Sequence, residues 1–384
     1  MKNFILPSIC FLVFLYSCEK KQEFIDTNTS TESISTDAKG ALITKFDPSI
    51  GLANDLYNRL GPHQVSTTGT RLDCSGFAGT IQRVLAALRF IDPGVRCSPS
   101  FPYGFEDRRV TEVFYPSNIQ SLENVPVISF VGGLVSNQGN YDALIRLWTS
   151  YGFVVVNSNN FINFNPSLHV TGLLEIVAQN SNPQSPLYNK LDLSKVQVSG
   201  HSAGGSGALS ITSKTEKIIQ SIHPSLRIIG SFPLQPSFAA SGNNVNVPTL
   251  LLTGQYDVLV PPTTFPLKNQ YQKISSAPAW FVSTKNSNHL TPTLELARND
   301  YAGITVAWIL YNAKNDVAAS RFFVGPAYRS LEDPAFTQAG DLPLAVYRPS
   351  KPSEYLKTGE PFVLVKPNPT RVQRNSRANA LKSL

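Results

Sequence analysis

Short, almost wholly apolar runs alternate with runs of helical periodicity through the middle of this chain. VPVISFVGG (125–133), FVVVNSN (153–159) and KVQVSG (195–200) have the length and composition of strands, whereas YDALIRLWTSYG (141–152) has apolar residues three and four apart and ends in glycine. Strands that lack polar alternation are typically buried on both faces. The pattern therefore predicts an α/β fold with a mainly parallel central sheet and helices on both faces. Further strands are predicted in LRIIGSFPL, VPTLLLTGQYD and AWFVST, and further helices in VTGLLEIVAQN and YAGITVAWILYN.

A Gly-x-Ser-x-Gly sequence, centred on Ser202, stands where the strand KVQVSG ends. A side chain at Gly200 or Gly204 would collide with the adjoining strand or helix if the chain turned sharply there. Such a turn lifts the Ser202 hydroxyl above the sheet, at the positive end of the next helix. The following GALSITSKTEKII is compatible with that helix. We therefore predict that Ser202 is a nucleophile, and the alternative is a small-residue turn needed only for packing.

A serine hydroxyl needs a base within hydrogen-bond reach and an acid that orients this base. His289 follows AWFVST in the loop before the final helix, which is where the chain order Ser, acid, His places the base. Asp257 is the only aspartate between Ser202 and His289 and directly follows a strand, so it is the predicted acid, with Glu216 as the alternative carboxylate. We expect His201 to point away from the serine. The remaining histidines are expected to be surface or packing residues: His63, His169 and His223.

The negative charge that develops on the substrate oxygen needs backbone N–H groups, the oxyanion hole. One N–H group is expected from Ala203, the residue after the nucleophile. The second is expected from the loop after VPVISFVGG, where neighbouring glycines let the backbone approach closely. Leu134 is the predicted donor, Gly133 is the alternative, and a glycine turn without a catalytic role is the remaining possibility.

In these residues and their order the chain resembles the α/β-hydrolases. It is most similar to the dienelactone-hydrolase-like group that contains the bacterial cutinases and polyester hydrolases, including those acting on poly(ethylene terephthalate). The resemblance covers roughly 110–312 and rests on SFVGGLVSNQGNYDALIRLWTSYGFVVV, SPLYNKLDLSKVQVSGHSAGGSGAL, VPTLLLTGQYDVLVPP, NSNHLTP and ITVAWILYN. It implies an α/β-hydrolase fold and ester hydrolysis through an acyl-enzyme, without a cofactor. It also implies that Ser202, Asp257 and His289 form a triad and that Leu134 and Ala203 supply the oxyanion-hole amides.

The chain departs from this family's pattern around the expected substrate. Leu134 stands where the family usually has an aromatic residue, and Ala203 where it usually has methionine. Near the family's tryptophan, LQPSF offers Pro236 or Phe238 and no tryptophan. We expect Phe161 and Phe238 to form a substrate rim, and the substrate to be a small-molecule or polymeric ester. The alternatives are an amidase, peptidase or acyltransferase using the same triad, or a non-catalytic surface-binding lipoprotein.

The first eighteen residues, MKNFILPSICFLVFLYSC, have the pattern of a targeting segment. Lys2 precedes an apolar run that is too short to span a bilayer, and the run ends in LYSC, which resembles a bacterial lipobox. We predict a lipoprotein signal peptide over residues 1–17 and lipidation of Cys18, with an ordinary signal peptide and a chance cysteine as the alternative. The exported protein is then expected to be lipid-anchored in the cell envelope, on the outer membrane or facing the periplasm.

Beyond the leader only Cys74 and Cys97 remain, and an oxidising compartment favours a disulfide between them over two free thiols. The sequence has neither a CxxC pair nor a histidine cluster with metal-ligand spacing, so we expect no metal site.

The polar composition of residues 18–45 predicts a flexible membrane spacer. We expect the catalytic domain over 46–325 and a C-terminal extension with a basic tail over 326–384. The formal net charge is +7, and five of these charges are the lysines and arginines of residues 366–384. The body is therefore close to neutral, which argues against nucleic-acid binding, and we expect a monomer.

Overall fold

The computed structural model describes Ser49, residues 51–69, 74–97, 109–285 and 287–324, and the backbone of residues 363–366. The leader, Cys18 and the spacer lie outside these residues, so the predictions for them stay predictions. The strands are β1 (Val65–Thr67), β2 (Val110–Pro116), β3 (Val125–Val131), β4 (Val154–Asn159), β5 (Leu191–Gly200), β6 (Ile228–Ser231), β7 (Thr249–Gly254), β8 (Ala279–Thr284) and β9 (Val363–Lys366).

The described strands form one nine-stranded sheet in the order β1-β2-β4-β3-β5-β6-β7-β8-β9. Strands β4, β3, β5, β6, β7 and β8 run parallel to one another. The edges are antiparallel, because β2 pairs in this way with β4 and β1, and β9 with β8. The predicted fold class, a mainly parallel sheet of the α/β-hydrolase type, is confirmed.

Helices cover both faces of this sheet. The α-helices are α1 (Leu52–Tyr57), α2 (Gly76–Ala87), α3 (Asp142–Ser150), α4 (Ser167–Ser181), α5 (Ala203–Thr212), α6 (Glu216–Gln220), α7 (Tyr301–Ile309) and α8 (Val317–Ser320). On one face Ile128 and Phe130 of β3 pack into a cluster with residues of α3 and α7, including Trp148 and Trp308. On the other face Val127 packs with apolar residues of α4 and α5. Burial on both faces explains why β3 and β8 are apolar without alternation.

The predicted elements agree with the structure apart from their ends. The helix expected over 141–152 spans Asp142–Ser150, and the last predicted helix is α-helical only to Ile309 and continues as a π-helical turn over Leu310–Lys314. Within the expected C-terminal extension, the backbone of Val363–Lys366 adds a strand to the sheet edge. The domain boundaries themselves stay a prediction.

The segment before β2 adds β1 to the sheet edge and contacts α7 and the loops after β3 and β8. A Cβ atom on Gly303 of α7 would collide with the backbone of Ala53, and the Gly303 N–H donates to the Asn54 side chain at 2.8 Å. Cys74 and Cys97 form the predicted disulfide, with Cα atoms 4.9 Å apart, and both are buried. The backbone N–H of Asp92 donates to the carbonyl of Thr293 at 2.9 Å. The disulfide therefore joins two ends of a segment that contacts distant parts of the chain.

None of the helices in the described ranges combines the length and the apolar character that crossing a bilayer would require.

His169 of α4 is buried in the core beneath α5. Its Nδ1 atom lies 2.9 Å from the Ser129 hydroxyl of β3, and a Cβ atom on Gly207 of α5 would be 3.5 Å from its ring. Burial lowers the pKa of His169 to about 4, because the charged ring would lose its hydration. His169 is therefore a neutral packing residue at pH 7, in line with the sequence expectation.

We expect the double variant Cys74→Ser/Cys97→Ser to fold with a free energy of unfolding lower by about 3 kcal/mol, because the disulfide restricts the unfolded chain. Urea unfolding of the variant and the oxidised wild type, followed by circular dichroism, measures this difference. Equal midpoints and slopes would show that the disulfide contributes nothing to stability.

We expect His169→Asn to reduce the loss of stability between pH 6 and pH 5. The folded protein keeps His169 neutral well below the ordinary histidine pKa, whereas the unfolded chain takes up a proton, so stability is present above about pH 6.5 and falls as the pH drops toward 4. One proton corresponds to about 1.4 kcal/mol per pH unit. Urea unfolding at both pH values gives the two slopes, and an unchanged slope in the variant would contradict the prediction.

Candidate active site

Ser202 lies in the sharp turn between β5 and α5. Its backbone has φ 52° and ψ −113°, a left-handed conformation that is strained for a residue with a side chain. A Cβ atom on Gly200 would collide with the backbone of Gly204, and one on Gly204 would collide with the carbonyl of Val131. The two glycines therefore let β5, β3 and α5 approach closely, for the steric reason that the sequence suggested.

The structure brings Ser202, His289 and Asp257 into one hydrogen-bonded chain. His289 Nε2 lies 3.0 Å from Ser202 Oγ, and His289 Nδ1 lies 2.8 Å from Asp257 Oδ2. The second Asp257 oxygen accepts the backbone N–H groups of Leu259 at 3.0 Å and Val260 at 2.8 Å. Because an ionised carboxylate only accepts hydrogen bonds, His289 Nδ1 carries the proton and Nε2 presents its lone pair to the serine.

The alternative acid lies elsewhere. Glu216 is exposed at the start of α6 and forms an ion pair with Arg227 at 2.6 Å. The other two candidate histidines are also accounted for, since His63 Nδ1 contacts the Asn118 side chain at 3.0 Å and His223 Nδ1 accepts the Ser225 N–H at 3.3 Å. His289 is therefore the histidine that meets the serine.

Two of the backbone N–H groups in the loop after β3 are already engaged. The Gly132 N–H donates to the Asn159 side chain and the Gly133 N–H donates to the Tyr141 hydroxyl, both at 2.8 Å. Within the part of the chain that the structure describes, neither Leu134 nor Ala203 has a hydrogen-bond acceptor for its backbone N–H. These contacts favour Leu134 over Gly133, and Ala203 begins the helix that follows the serine, where its N–H is free of helical bonding.

His201 lies beside His289 rather than away from the site. The two ring centroids are 4.7 Å apart, and His201 Nδ1 lies 2.8 Å from the Tyr141 hydroxyl. The Gly133 N–H donates to the same hydroxyl, so Tyr141 connects the loop after β3 to the His201 ring. Burial first, and then the nearby His289, lower the pKa of His201 well below its usual value, so the ring is neutral.

Tyr141 is one site residue that sequence reasoning missed. Its ring is buried, and its hydroxyl contacts both the Gly133 N–H in the loop after β3 and the His201 ring. Burial raises the pKa of the phenol to about 12. It stands just before α3, and neither its spacing nor its neighbours in the sequence form a motif. The contact depends on how α3 packs below the loop, which no local pattern encodes.

The predicted rim residues differ in exposure. Phe238 is 71% exposed, next to Ser237, whose N–H donates to the Ser202 carbonyl at 3.0 Å. Phe161 is half-buried and packs against the Cys74–Cys97 pair. Leu134 is 38% exposed. The surface near the serine is thus partly apolar, and the rim assignment stays a prediction.

No group of three or more side chains suited to bind a metal ion occurs among the described residues. The polar atoms around Ser202 are instead engaged with one another, and the arrangement has the parts of a serine nucleophile, a base, an orienting acid and two backbone donors.

Comparison with known proteins agrees with this geometry. Residues 100–339, more than half of the chain, match the PET hydrolase-like (PETase) family. The chain is 24% identical to Lipase 1 of Moraxella sp. (strain TA144) over 55% of its own length, and it spans just 62% of that lipase. It is 25% identical to cutinase est1 of Thermobifida alba, over 58% of this chain and 71% of the cutinase. A second Thermobifida alba cutinase, est2, is also 25% identical, over 58% of this chain and 70% of that protein. The chain belongs to the PET hydrolase-like family.

Proposed function

We propose that the protein is a serine hydrolase of carboxylic esters that works through an acyl-enzyme. The observation that carries the proposal is the hydrogen-bonded chain from Ser202 Oγ through His289 to Asp257, with contacts of 3.0 and 2.8 Å. Membership of the PET hydrolase-like family and similarity to proteins named as cutinases and a lipase support ester bonds as the target.

In the first step Ser202 Oγ attacks the ester carbonyl carbon while His289 Nε2 takes the serine proton. The carbonyl oxygen becomes an oxyanion and accepts hydrogen bonds from the Leu134 and Ala203 N–H groups. The tetrahedral intermediate then loses the alcohol, which leaves with the proton from His289. Ser202 is left as an acyl ester.

In the second step a water molecule takes the role that the serine hydroxyl had in the first. His289 takes a proton from the water, the hydroxide adds to the acyl carbonyl, and Ser202 leaves with the proton that His289 returns. Asp257 remains ionised throughout and stabilises the imidazolium form of His289. Its buried position, with two backbone donors on the other oxygen, holds the carboxylate in one orientation.

The neutral state of His201 suits this cycle. The ring lies against His289, so a positive charge on His201 would oppose the positive charge that His289 acquires in each step. Burial keeps His201 uncharged, and the contact with the Tyr141 hydroxyl holds its ring in place. His289 can therefore take up its proton without a like charge beside it.

We propose that esters with an apolar acyl or alcohol part are the substrates, whether small molecules or polymers. Leu134 and Phe238 present apolar surface near Ser202, and Phe161 adds a half-buried aromatic ring. No cofactor is required by this chemistry. We further propose an exported, monomeric protein that is held at the cell envelope through a lipid on Cys18.

We expect Ser202→Ala to lower kcat/KM for p-nitrophenyl esters at least about 10⁴-fold, because the acyl-enzyme cannot form. The measurement is hydrolysis of a series from acetate to long acyl chains, with Ser194→Ala, an exposed serine, as the matched control that keeps wild-type activity. Near-normal activity of the Ser202→Ala variant would contradict the proposed mechanism. Serine-dependent cleavage of anilides but not of esters would instead favour an amidase.

We expect Cys18→Ala to abolish membrane association of the expressed full chain. Lipidation on Cys18 supplies the only anchor in this proposal, so the variant should lose incorporated radiolabelled palmitate and appear in the soluble envelope fraction. Cys10→Ala, which removes the other cysteine of the leader, is the control and should remain labelled and membrane-bound. Membrane association of the Cys18 variant equal to that of wild type would rule out lipid anchoring at this residue.

A further inference from the structure

Two buried side chains converge on the carbonyl oxygen of Gly133, in the loop that carries the proposed oxyanion donor. Asn163 Nδ2 and Ser136 Oγ each donate to this oxygen at 2.6 Å. Asn163 is 0% exposed and Ser136 is 7% exposed. The Ser136 backbone N–H adds a longer contact of 3.2 Å.

The Gly133 carbonyl and the Leu134 N–H belong to the same peptide unit. A trans peptide is planar, and its C=O and N–H point in opposite directions. Holding the carbonyl oxygen on one side therefore determines where the Leu134 N–H points on the other. The preceding peptide is also held, since the Gly133 N–H donates to Tyr141.

This loop needs such restraint because its backbone is strained. Val135 has φ 57°, in the left-handed region, which is rare for a β-branched residue. Fixed partners for the Gly133 carbonyl restrict rotation of the adjacent peptide units, which would otherwise be one way to relieve this strain.

Asn163 is itself held rigidly. Its Oδ1 atom accepts the backbone N–H of Asn160 at 2.7 Å, and the backbone N–H of Asn163 donates to Asn160 Oδ1 at 2.6 Å. The side-chain amide therefore uses one end to fix its orientation and the other end to hold the Gly133 carbonyl. Donation to a carbonyl also polarises the peptide, so that its N–H becomes a stronger donor.

We propose that Asn163 and Ser136 are positioning residues of the oxyanion hole: they hold the Gly133–Leu134 peptide so that the Leu134 N–H points at the developing negative charge. The inference rests on the proposed ester hydrolysis and on Leu134 as one of its two backbone donors. Neither side chain contacts the substrate in this scheme.

The test compares Ser136→Ala, Asn163→Gly and the double variant Ser136→Ala/Asn163→Gly in the mature protein. Asn163→Gly removes the side-chain donor without adding a charge, and glycine tolerates the φ of 61° at this position. Two controls remove hydrogen bonds of the same chemical kind at exposed positions. Ser221→Ala loses a hydroxyl bond to a carbonyl three residues earlier, at 2.6 Å, and Asn246→Ala loses an amide bond to the Lys214 carbonyl at 2.8 Å.

Each single variant should lower kcat for a p-nitrophenyl ester about 5-fold, because the second side chain still holds the carbonyl. The double variant should lose about 100-fold, approaching the effect of removing one oxyanion donor. KM should change less than 2-fold and the acid limb of the pH profile should stay in place, since His289 is untouched. The inhibition constant of a trifluoromethyl ketone, which forms an oxyanion on Ser202, should rise by the factor by which kcat/KM falls.

A purely structural role would lower the melting temperature and leave the ratio of ketone affinity to KM unchanged. A double variant that folds with the wild-type melting temperature and keeps kcat within 2-fold would overturn the inference, while Ser202→Ala still abolishes activity and preserves the proposed function. If the double variant does not fold, the single variants Ser136→Ala and Asn163→Gly decide by the ratio of ketone affinity to KM. A wild-type protein without serine-dependent turnover would overturn both proposals.

Discussion

The site depends on a close contact between backbones, where the start of α5 meets the end of β3. The carbonyls of Val131 and Gly132 lie against Gly204, and the Gly204 N–H donates to the Gly132 carbonyl at 3.1 Å. The His201 N–H donates to the Val131 carbonyl at 3.0 Å. These contacts join the turn that carries the proposed nucleophile to the loop that carries the proposed oxyanion donor. A single methyl group at Gly204 would separate them, because backbone atoms on both sides leave no room for it.

Strain accompanies this contact on both sides. Ser202 and Val135 have left-handed backbone conformations, which cost about 1–3 kcal/mol each in such residues. Hydrogen bonds hold both in place: the Ser202 N–H donates to the Leu234 carbonyl at 3.0 Å, and the Val135 N–H donates to the Phe161 carbonyl at 2.9 Å. The packing of the core beneath the sheet end offsets the free-energy cost of these strained backbone conformations. The polar groups above the sheet are therefore arranged before any substrate arrives.

Sequence reasoning reached the fold class, the disulfide and the contact among Ser202, Asp257 and His289, because each depends on chain order or on local patterns. Apolar strands and a glycine-flanked serine are encoded within a few residues. The contacts of Tyr141 and Asn163 were not predicted, because they arise where separate loops pack together, and asparagine and tyrosine are common in loops without such roles. His201 was expected to point away, but the left-handed turn at Ser202 directs its ring toward Tyr141 and His289.

The contact between α1 and α7 sets an order on how the chain can fold. Asn54 bonds to Gly303 across a separation of 249 residues, and Arg298 bonds to the carbonyl of Arg89 across 209. Contacts of such long range form late, because the entropy cost of closing a large loop comes before the free energy that the contact contributes. Helix α1 therefore cannot complete its packing until strands β1 to β8 have been synthesised. In a nascent chain of this protein, β1 can pair with β2 early, whereas the contact between α1 and α7 has to wait until residues 301–309 have been made.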